Sequence, residues 1–453
     1  MTTISPLEAG VDDRTAERLA RALRCVTVSR DDTETDVIEF DRLAQHLETS
    51  FPLVHTHLEL ERFGHSRLYR WAGTEAGTAA ILLAHQDVVP VDDESRWTHP
   101  PFAGVVDEKY IWGRGAIDDK SRVLAILEAT EELLAQGRRP RRTIYVAFGH
   151  DEEVFGCSGA ARMAERLRER RVGADLLLDE GGVITDGVVD DATTSVATIM
   201  IGEKGWATVR LHTTDAGGHS SMPAGDTAVG RIARAVARVQ DQPMPLRMTP
   251  VIADMLTRSR SALRQPRRTA LRLLPIAGPV IARIMTGQPQ TEAMVRTTTA
   301  PTVIRGGVKA NVLPQSADAL VNFRILPGDS VADVLAHCVR VIGDDRVRVE
   351  LSGPSSEPTG TAKPGPAHGL IADITRELAP DATITTGLVP GATDSRYYDE
   401  LATTRCNFAP IVVDAADLAR IHGTDERLSR VNYARLIEFN RRLLTHYTDP
   451  GRS

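Results

Sequence analysis

Three apolar runs with strand character each end in histidine or acid. Residues 79–84 (AAILLA) lead into His85-Gln86-Asp87, residues 142–148 (RTIYVAF) into His150-Asp151-Glu152-Glu153, and residues 174–178 (ADLLL) into Asp179-Glu180-Gly181-Gly182. Between the first two, Lys120 to Leu134 carries Val123, Leu124, Ile126, Leu127 and Leu133 at helical spacing. Apolar strands alternating with a helix predict an α/β layer, with a mixed, largely parallel sheet flanked by helices. Ligands bind at the carboxyl edge of such sheets. Three successive strand ends therefore deliver imidazole and carboxylate groups to one place.

After Gly202 the texture changes. Residues 206–214 (WATVRLHTT) alternate like a half-exposed strand, and a helix is predicted from Thr227 to Gln240. Strands at TVIRGG and LVNFRIL, a helix from Val331 to Val341 and a strand at RVRVEL complete a small α+β sandwich. The chain of 453 residues is long enough for two domains. The expected division is a first domain of residues 1–203 and 353–453, opening on helices at 11–25 and 36–49, with an inserted domain of residues 204–352. Residues 244–298 form a Pro- and Arg-containing stretch with the apolar core LRLLPIAGPVIARIM. That core is read as too short and too interrupted to span a bilayer, and as a helical hairpin covering part of the protein.

A formal charge of -7 argues against a nucleic-acid partner, which calls for a basic surface. The segment MTTISPLEAGVDDRT has no basic region followed by an apolar stretch, so a cytoplasmic protein without a membrane span is expected. Cys25, Cys157, Cys338 and Cys406 are scattered without paired metal spacing. Any metal must then be held by oxygen and imidazole.

The chemistry-bearing clusters each have a plain alternative. His85 and Asp87 point the same way on an extended strand, so Asp87 can fix the imidazole tautomer for metal binding, although a surface histidine beside an aspartate is common. Asp118 and Asp119 follow Gly113-Arg114-Gly115-Ala116-Ile117 at a helix start, where acids also serve as caps. Crowded carboxylates at Asp151-Glu152-Glu153 need a cation or a shared proton unless they lie in an exposed loop. With the distant run Arg420-Ile421-His422-Gly423-Thr424-Asp425-Glu426, the set offers two histidines and several acids, which suits zinc, cobalt or manganese. A carboxylate shared by two such ions generates a nucleophile from water at neutral pH.

As an ordered series, these motifs together with Gly217-Gly218-His219-Ser220-Ser221-Met222-Pro223 resemble the clan MH zinc metallopeptidase family. That family includes aminoacylase-1, acetylornithine deacetylase, succinyl-diaminopimelate desuccinylase and carboxypeptidase S. The resemblance implies a phosphorylase/hydrolase-like catalytic domain with an inserted lid and dimerisation domain, a homodimer, and two divalent ions, zinc above all. It makes His85, Asp118 and Glu180 ligands of one ion, and Asp118, Glu153 and His422 ligands of the other, with Asp179 an alternative to Glu180. Asp87 would orient His85, and Glu152 would be the general base. His219 would reach a partner subunit's site and polarise the scissile carbonyl. Asn311 and Arg324 would hold substrate, as would Asp394 and Arg396 in Gly391-Ala392-Thr393-Asp394-Ser395-Arg396.

Val295 to Thr302 and Gly307 to Asn311 resemble more closely the branch that makes and breaks N-fatty-acyl amino acids. The function these features imply is hydrolysis of the amide bond of N-acyl amino acids, with long acyl chains and reversible synthesis included. A dipeptidase or carboxypeptidase is the alternative within the family. A catalytically inactive binding protein is the alternative outside it.

Overall fold

The computed structural model describes residues 9–30, 37–189, 192–223, 225–360 and 364–448. Residues 1–8 and 36, part of the expected amino-terminal segment and second helix, lie outside them. The first part contains α1 (Asp13–Leu23), α2 (Val37–Ser50), the hairpin β1 (Glu59–Phe63) and β2 (Ser66–Trp71), then β3 (Ala79–His85), α3 (Lys120–Ala135), β4 (Ile144–Gly149), α4 (Ala160–Glu169), β5 (Ala174–Asp179) and β6 (Val196–Glu203). Next come β7 (Gly205–Thr214), α5 (Ala228–Asp241), α6 (Pro250–Ser259), α7 (Leu274–Ile284), β8 (Thr298–Gly306), β9 (Ser316–Ile325), α8 (Val331–Ile342) and β10 (Arg348–Ser356). The chain closes with α9 (Pro366–Leu378), β11 (Thr383–Val389), β12 (Arg405–Asn407) and α10 (Arg430–Thr448).

The large sheet runs β1-β2-β4-β3-β5-β12-β6 and continues through short strands. Its centre is parallel, from β4 through β3 and β5 to β12, while β1, β2 and the β12–β6 junction are antiparallel. All of β3 is buried because each face has its own layer: Ala80, Leu82 and Ala84 join the core under α3 and α10, and Ile81 and Leu83 pack toward α4. That double cover explains why β3 reads as an unbroken apolar run. The parallel strands share one direction, so their carboxyl ends, at His85, Gly149 and Asp179, lie along one edge.

A second, antiparallel sheet of order β8-β9-β7-β10 is covered on one face by α5 and α8. Its core contains Val209, Leu211, Ile232, Phe323, Val334 and Cys338. Burial alternates along β7 and β9, as one covered face requires. Ser330 caps α8 in a reciprocal box with Asp333, and Gly343 ends it in the left-handed region.

One expectation is corrected here. The apolar core near residue 280 is part of a longer helical stretch, Arg267–Gly287, of 21 residues. Its most apolar 18 residues have a mean hydropathy of 1.3, so it is long and apolar enough to cross a membrane by length and composition alone. The arginines at its start favour helix and extend the stretch beyond the run of apolar letters.

Candidate active site

β3 delivers His85, which is 1% exposed. Its Nδ1 lies 3.1 Å from the Asp87 carbonyl oxygen and 3.3 Å from Asp87 Oδ1, so that nitrogen is committed to Asp87. Nε2 is thereby turned toward Asp118 Oδ1 at 2.9 Å, with Glu180 Oε1 at 4.0 Å. The buried Asp87 carboxylate also accepts hydrogen bonds from Ser29 Oγ at 2.7 Å and from the backbone N–H groups of Glu152 and Glu153 at 3.2 and 3.0 Å. A single carboxylate thus ties the ring of His85 to the turn that carries the acid pair.

Asp118 reaches in two directions. Its second oxygen, Oδ2, lies 3.0 Å from His422 Nε2, and Glu153 Oε1 is 3.1 Å from the same nitrogen. Yet Glu153 Oε1 is buried without a properly aligned hydrogen bond. His85, Asp118 and Glu153 can offer their ligand atoms to one ion, as can His85, Glu152 and Glu180. The donor set of imidazole and carboxylate suits a borderline divalent cation.

Electrostatics report the same crowding. Burial, the largest influence, pushes Glu152 and Glu180 well above the usual carboxylate range; neighbouring acids add to this, and His85 opposes it. Burial also works to raise Asp118, but hydrogen bonds to His422 and His85 hold it below its usual range. His422 is pushed up to about 10 by the adjacent carboxylates of Asp118 and Glu153. Charges of both signs are packed together here, which a cation can reorganise.

The plain alternatives are not what the structure contains at two of the clusters. Asp119 stands at the start of α3 without making a side-chain cap, and accepts the His85 N–H at 3.2 Å instead. Asp151 is buried and accepts the backbone N–H groups of Ser158 and Gly159, while His150 Nδ1 lies 2.6 Å from Ser66 Oγ. Asp179 is also internally committed: its oxygens accept the N–H groups of Glu180 and Ser395, each at 2.9 Å.

Sequence reasoning gave Glu426 no role, and it organises the centre. Fully buried, it pairs with Arg114 Nη1 at 2.6 Å and accepts the N–H groups of Gly115, Ile117 and Asp118 at 3.0, 2.8 and 3.1 Å. Arg114 in turn donates to the carbonyls of His422 and Gly423 at 3.1 and 3.0 Å. Together they bind the Asp118 loop to the His422 loop, where His422 itself holds φ +58°, uncommon without glycine. Glu426→Ala would strand a buried guanidinium and three backbone donors. A loss of about 3–5 kcal/mol in folding stability is expected from urea denaturation; a loss below about 1 kcal/mol would contradict this role.

The remaining sequence candidates lie in three places. Asp394 is buried against Gly149 and Gly156, where a Cβ on either glycine would collide with its carboxylate. Its loop is fixed by Ser395, which donates through Oγ to Glu203 at 3.0 Å, and Glu203 forms a buried pair with Arg405 at 2.6 Å. Arg396 donates to the carbonyls of Phe155 and Thr393 at 2.9 and 3.0 Å. Phe155 stacks on Trp206, joining the acid-bearing turn to the start of β7. Arg324 lies opposite Trp206 in the β7–β9 pairing, is exposed, and makes no ion pair among the described residues. His219 and Asn311 are exposed on neighbouring segments: Gly218–His219 pairs with Val312–Leu313, and the Ser220 N–H donates to the Asn311 carbonyl at 3.2 Å. His219 Nδ1 meets Ser221 Oγ at 2.7 Å. Among the described residues, no hydrogen bond or ion pair joins His219, Asn311 or Arg324 to the acidic centre.

Comparison with known proteins matches residues 81–446 to peptidase family M20/M25/M40. The probable carboxypeptidase S-like 2 of Dictyostelium discoideum is 38% identical over 448 residues, covering 97% of this chain and 85% of that protein. The N-fatty-acyl-amino acid synthase/hydrolase PM20D1 of Xenopus tropicalis is 34% identical over 429 residues, covering 93% and 84%. Among solved structures, the M20 family metallo-carboxypeptidase Sso-CP2 of Sulfolobus solfataricus superposes with a TM-score of 0.70 at 17% identity, covering 97% of this chain and 100% of that one.

Proposed function

The chain belongs to peptidase family M20/M25/M40 and is a metal-dependent hydrolase, and from that premise we propose that it cleaves the amide bond of N-acyl amino acids at a two-metal centre. The observation that carries the reading is the position of Asp118. One of its oxygens is 2.9 Å from His85 and the other 3.0 Å from His422, with Glu180 on the first side and Glu153 on the second. His85, Asp118 and Glu180 would hold one ion, and Asp118, Glu153 and His422 the other. Glu180 is preferred to Asp179 because both Asp179 oxygens already accept backbone N–H groups. When bound, zinc ions here, or cobalt or manganese, supply Lewis-acid polarisation and acidify water.

Glu152 is the proposed general base. Its carboxylate makes no hydrogen bond or ion pair among the described residues, and its raised proton affinity suits a group that takes a proton from water and returns it to the leaving amine. His219, brought from a second subunit of a homodimer, would polarise the carbonyl. Arg324 and Asn311 would receive the free carboxylate of the amino acid, a pairing that suits the planar guanidinium fork. Asp394 and Arg396 would act by shaping the turn that carries Glu152. Long acyl chains and reversible synthesis belong to this proposal, supported by the relatedness to the synthase/hydrolase of Xenopus tropicalis; a cytoplasmic location is proposed with them.

The test is turnover of the metal-loaded protein on N-oleoyl-phenylalanine, N-acetyl amino acids and a dipeptide panel. The expected order places N-acyl amino acids first; a preference for dipeptides would replace this reading with a dipeptidase.

Metal binding should also release protons. In the metal-free protein burial, the largest influence, works to lower His85, but Asp118 and Asp87 push it well above its usual range, and Asp118 and Glu153 push His422 up to about 10. Ligation requires both rings neutral and the carboxylates ionised, so affinity falls as pH falls. Calorimetry at neutral pH in buffers of different ionisation enthalpy should show net proton release. Buffer-independent heats would contradict it.

A further inference from the structure

The helical stretch Arg267–Gly287 is apolar on two faces, and only one is used. Leu274, Gly278 and Ala282 turn inward and are buried, whereas Leu273, Ile276, Val280 and Ile284 are 54%, 82%, 61% and 72% exposed. These four recur at three- and four-residue spacing and form one outward stripe along α7. Beside the stripe, α6 and α7 enclose an open cleft of about 570 Å³ lined in part by Met248, Ala253, Leu274 and Pro275. A large apolar stripe on a surface marks an interaction site.

Charge indicates the partner. Residues 255–291 contain seven arginines, no lysine and no acid, in a chain whose net charge is -7. Arg264, Arg268, Arg272 and Arg283 are exposed around the stripe. Apolar side chains rimmed by arginine match an anionic lipid surface, in which the stripe enters the acyl boundary and the guanidinium groups meet phosphates. The stretch cannot be surrounded by lipid while its inner face packs on the protein, with Ala282 in a cluster with Ile252 and Val295. It would lie in the plane of the surface.

We propose that α7 and its arginine rim dock this protein on anionic lipid bilayers as a peripheral, in-plane helix. The inference does not depend on the acyl preference proposed above. It concerns where the protein resides, not what it cleaves.

Flotation of the full chain with vesicles tests it. Vesicles of phosphatidylglycerol and phosphatidylcholine should carry the protein, vesicles of phosphatidylcholine alone should carry much less, and added salt should weaken the binding. The triple variant Ile276→Ser, Val280→Ser, Ile284→Ser should lower partitioning by about tenfold or more. The triple variant Arg268→Gln, Arg272→Gln, Arg283→Gln should do the same for the anionic vesicles alone. These positions are exposed, so both variants should keep the wild-type circular dichroism and melting curve. Absence of flotation with either vesicle, or flotation indifferent to both variants, would overturn the proposal. So would a wild-type oligomer that the serine variant converts to monomer without any vesicle binding, since a second copy of the chain would then cover the stripe.

Discussion

Glu152→Gln is expected to keep its metals and to lose about 10²–10⁴-fold in kcat, the usual contribution of a positioned general base. The glutamine amide matches the carboxylate in shape but cannot take a proton from water. Its backbone N–H bond to Asp87 does not involve the side chain, so the turn should persist. At a site where burial first, and then Asp394 and Glu153, disfavour an ionised side chain, a neutral amide should leave the fold intact or slightly stabilise it. KM should change little, because the base acts on water and not on the bound substrate. Near-normal turnover with metals retained would place the base elsewhere.

Asp118→Ala is expected to abolish turnover by a different route. Asp118 is the group that lies within 3.0 Å of both histidine rings. Without it, both of the proposed ions would lose a ligand. Metal affinity should fall by more than the ~10–100-fold that loss of an outer partner costs. Dialysed Asp118→Ala should therefore contain little metal, whereas Glu152→Gln treated alike should retain it. If the two variants kept equal metal, the shared-ligand role of Asp118 would be wrong.

What could be read from the sequence follows what is local in the chain. His85, Glu152 and Glu180 stand just beyond apolar runs that had to be parallel strands, and strand direction alone puts such residues at one edge. The Asp118-Asp119 pair was ambiguous because acids at a helix start also cap helices, and only the tertiary contact from Asp119 to the His85 N–H distinguishes the two. Glu426 could not be recognised, since its partners Arg114, Gly115, Ile117 and Asp118 lie some three hundred residues earlier in the chain. The Glu203–Arg405 pair that steadies the Asp394 loop was hidden for the same reason. Residues 267–287 read as a hairpin covering part of the protein, and α7 does cover it, but with only one of its two apolar faces, which the run of apolar letters does not distinguish.

The central claim is a pair of ions bridged by Asp118. Anomalous diffraction at the zinc edge, from crystals grown with zinc, locates them directly. Two peaks are predicted, one among His85, Asp118 and Glu180 and one among Asp118, Glu153 and His422. A single peak, or one bound by Asp179 away from Asp118, would contradict the account.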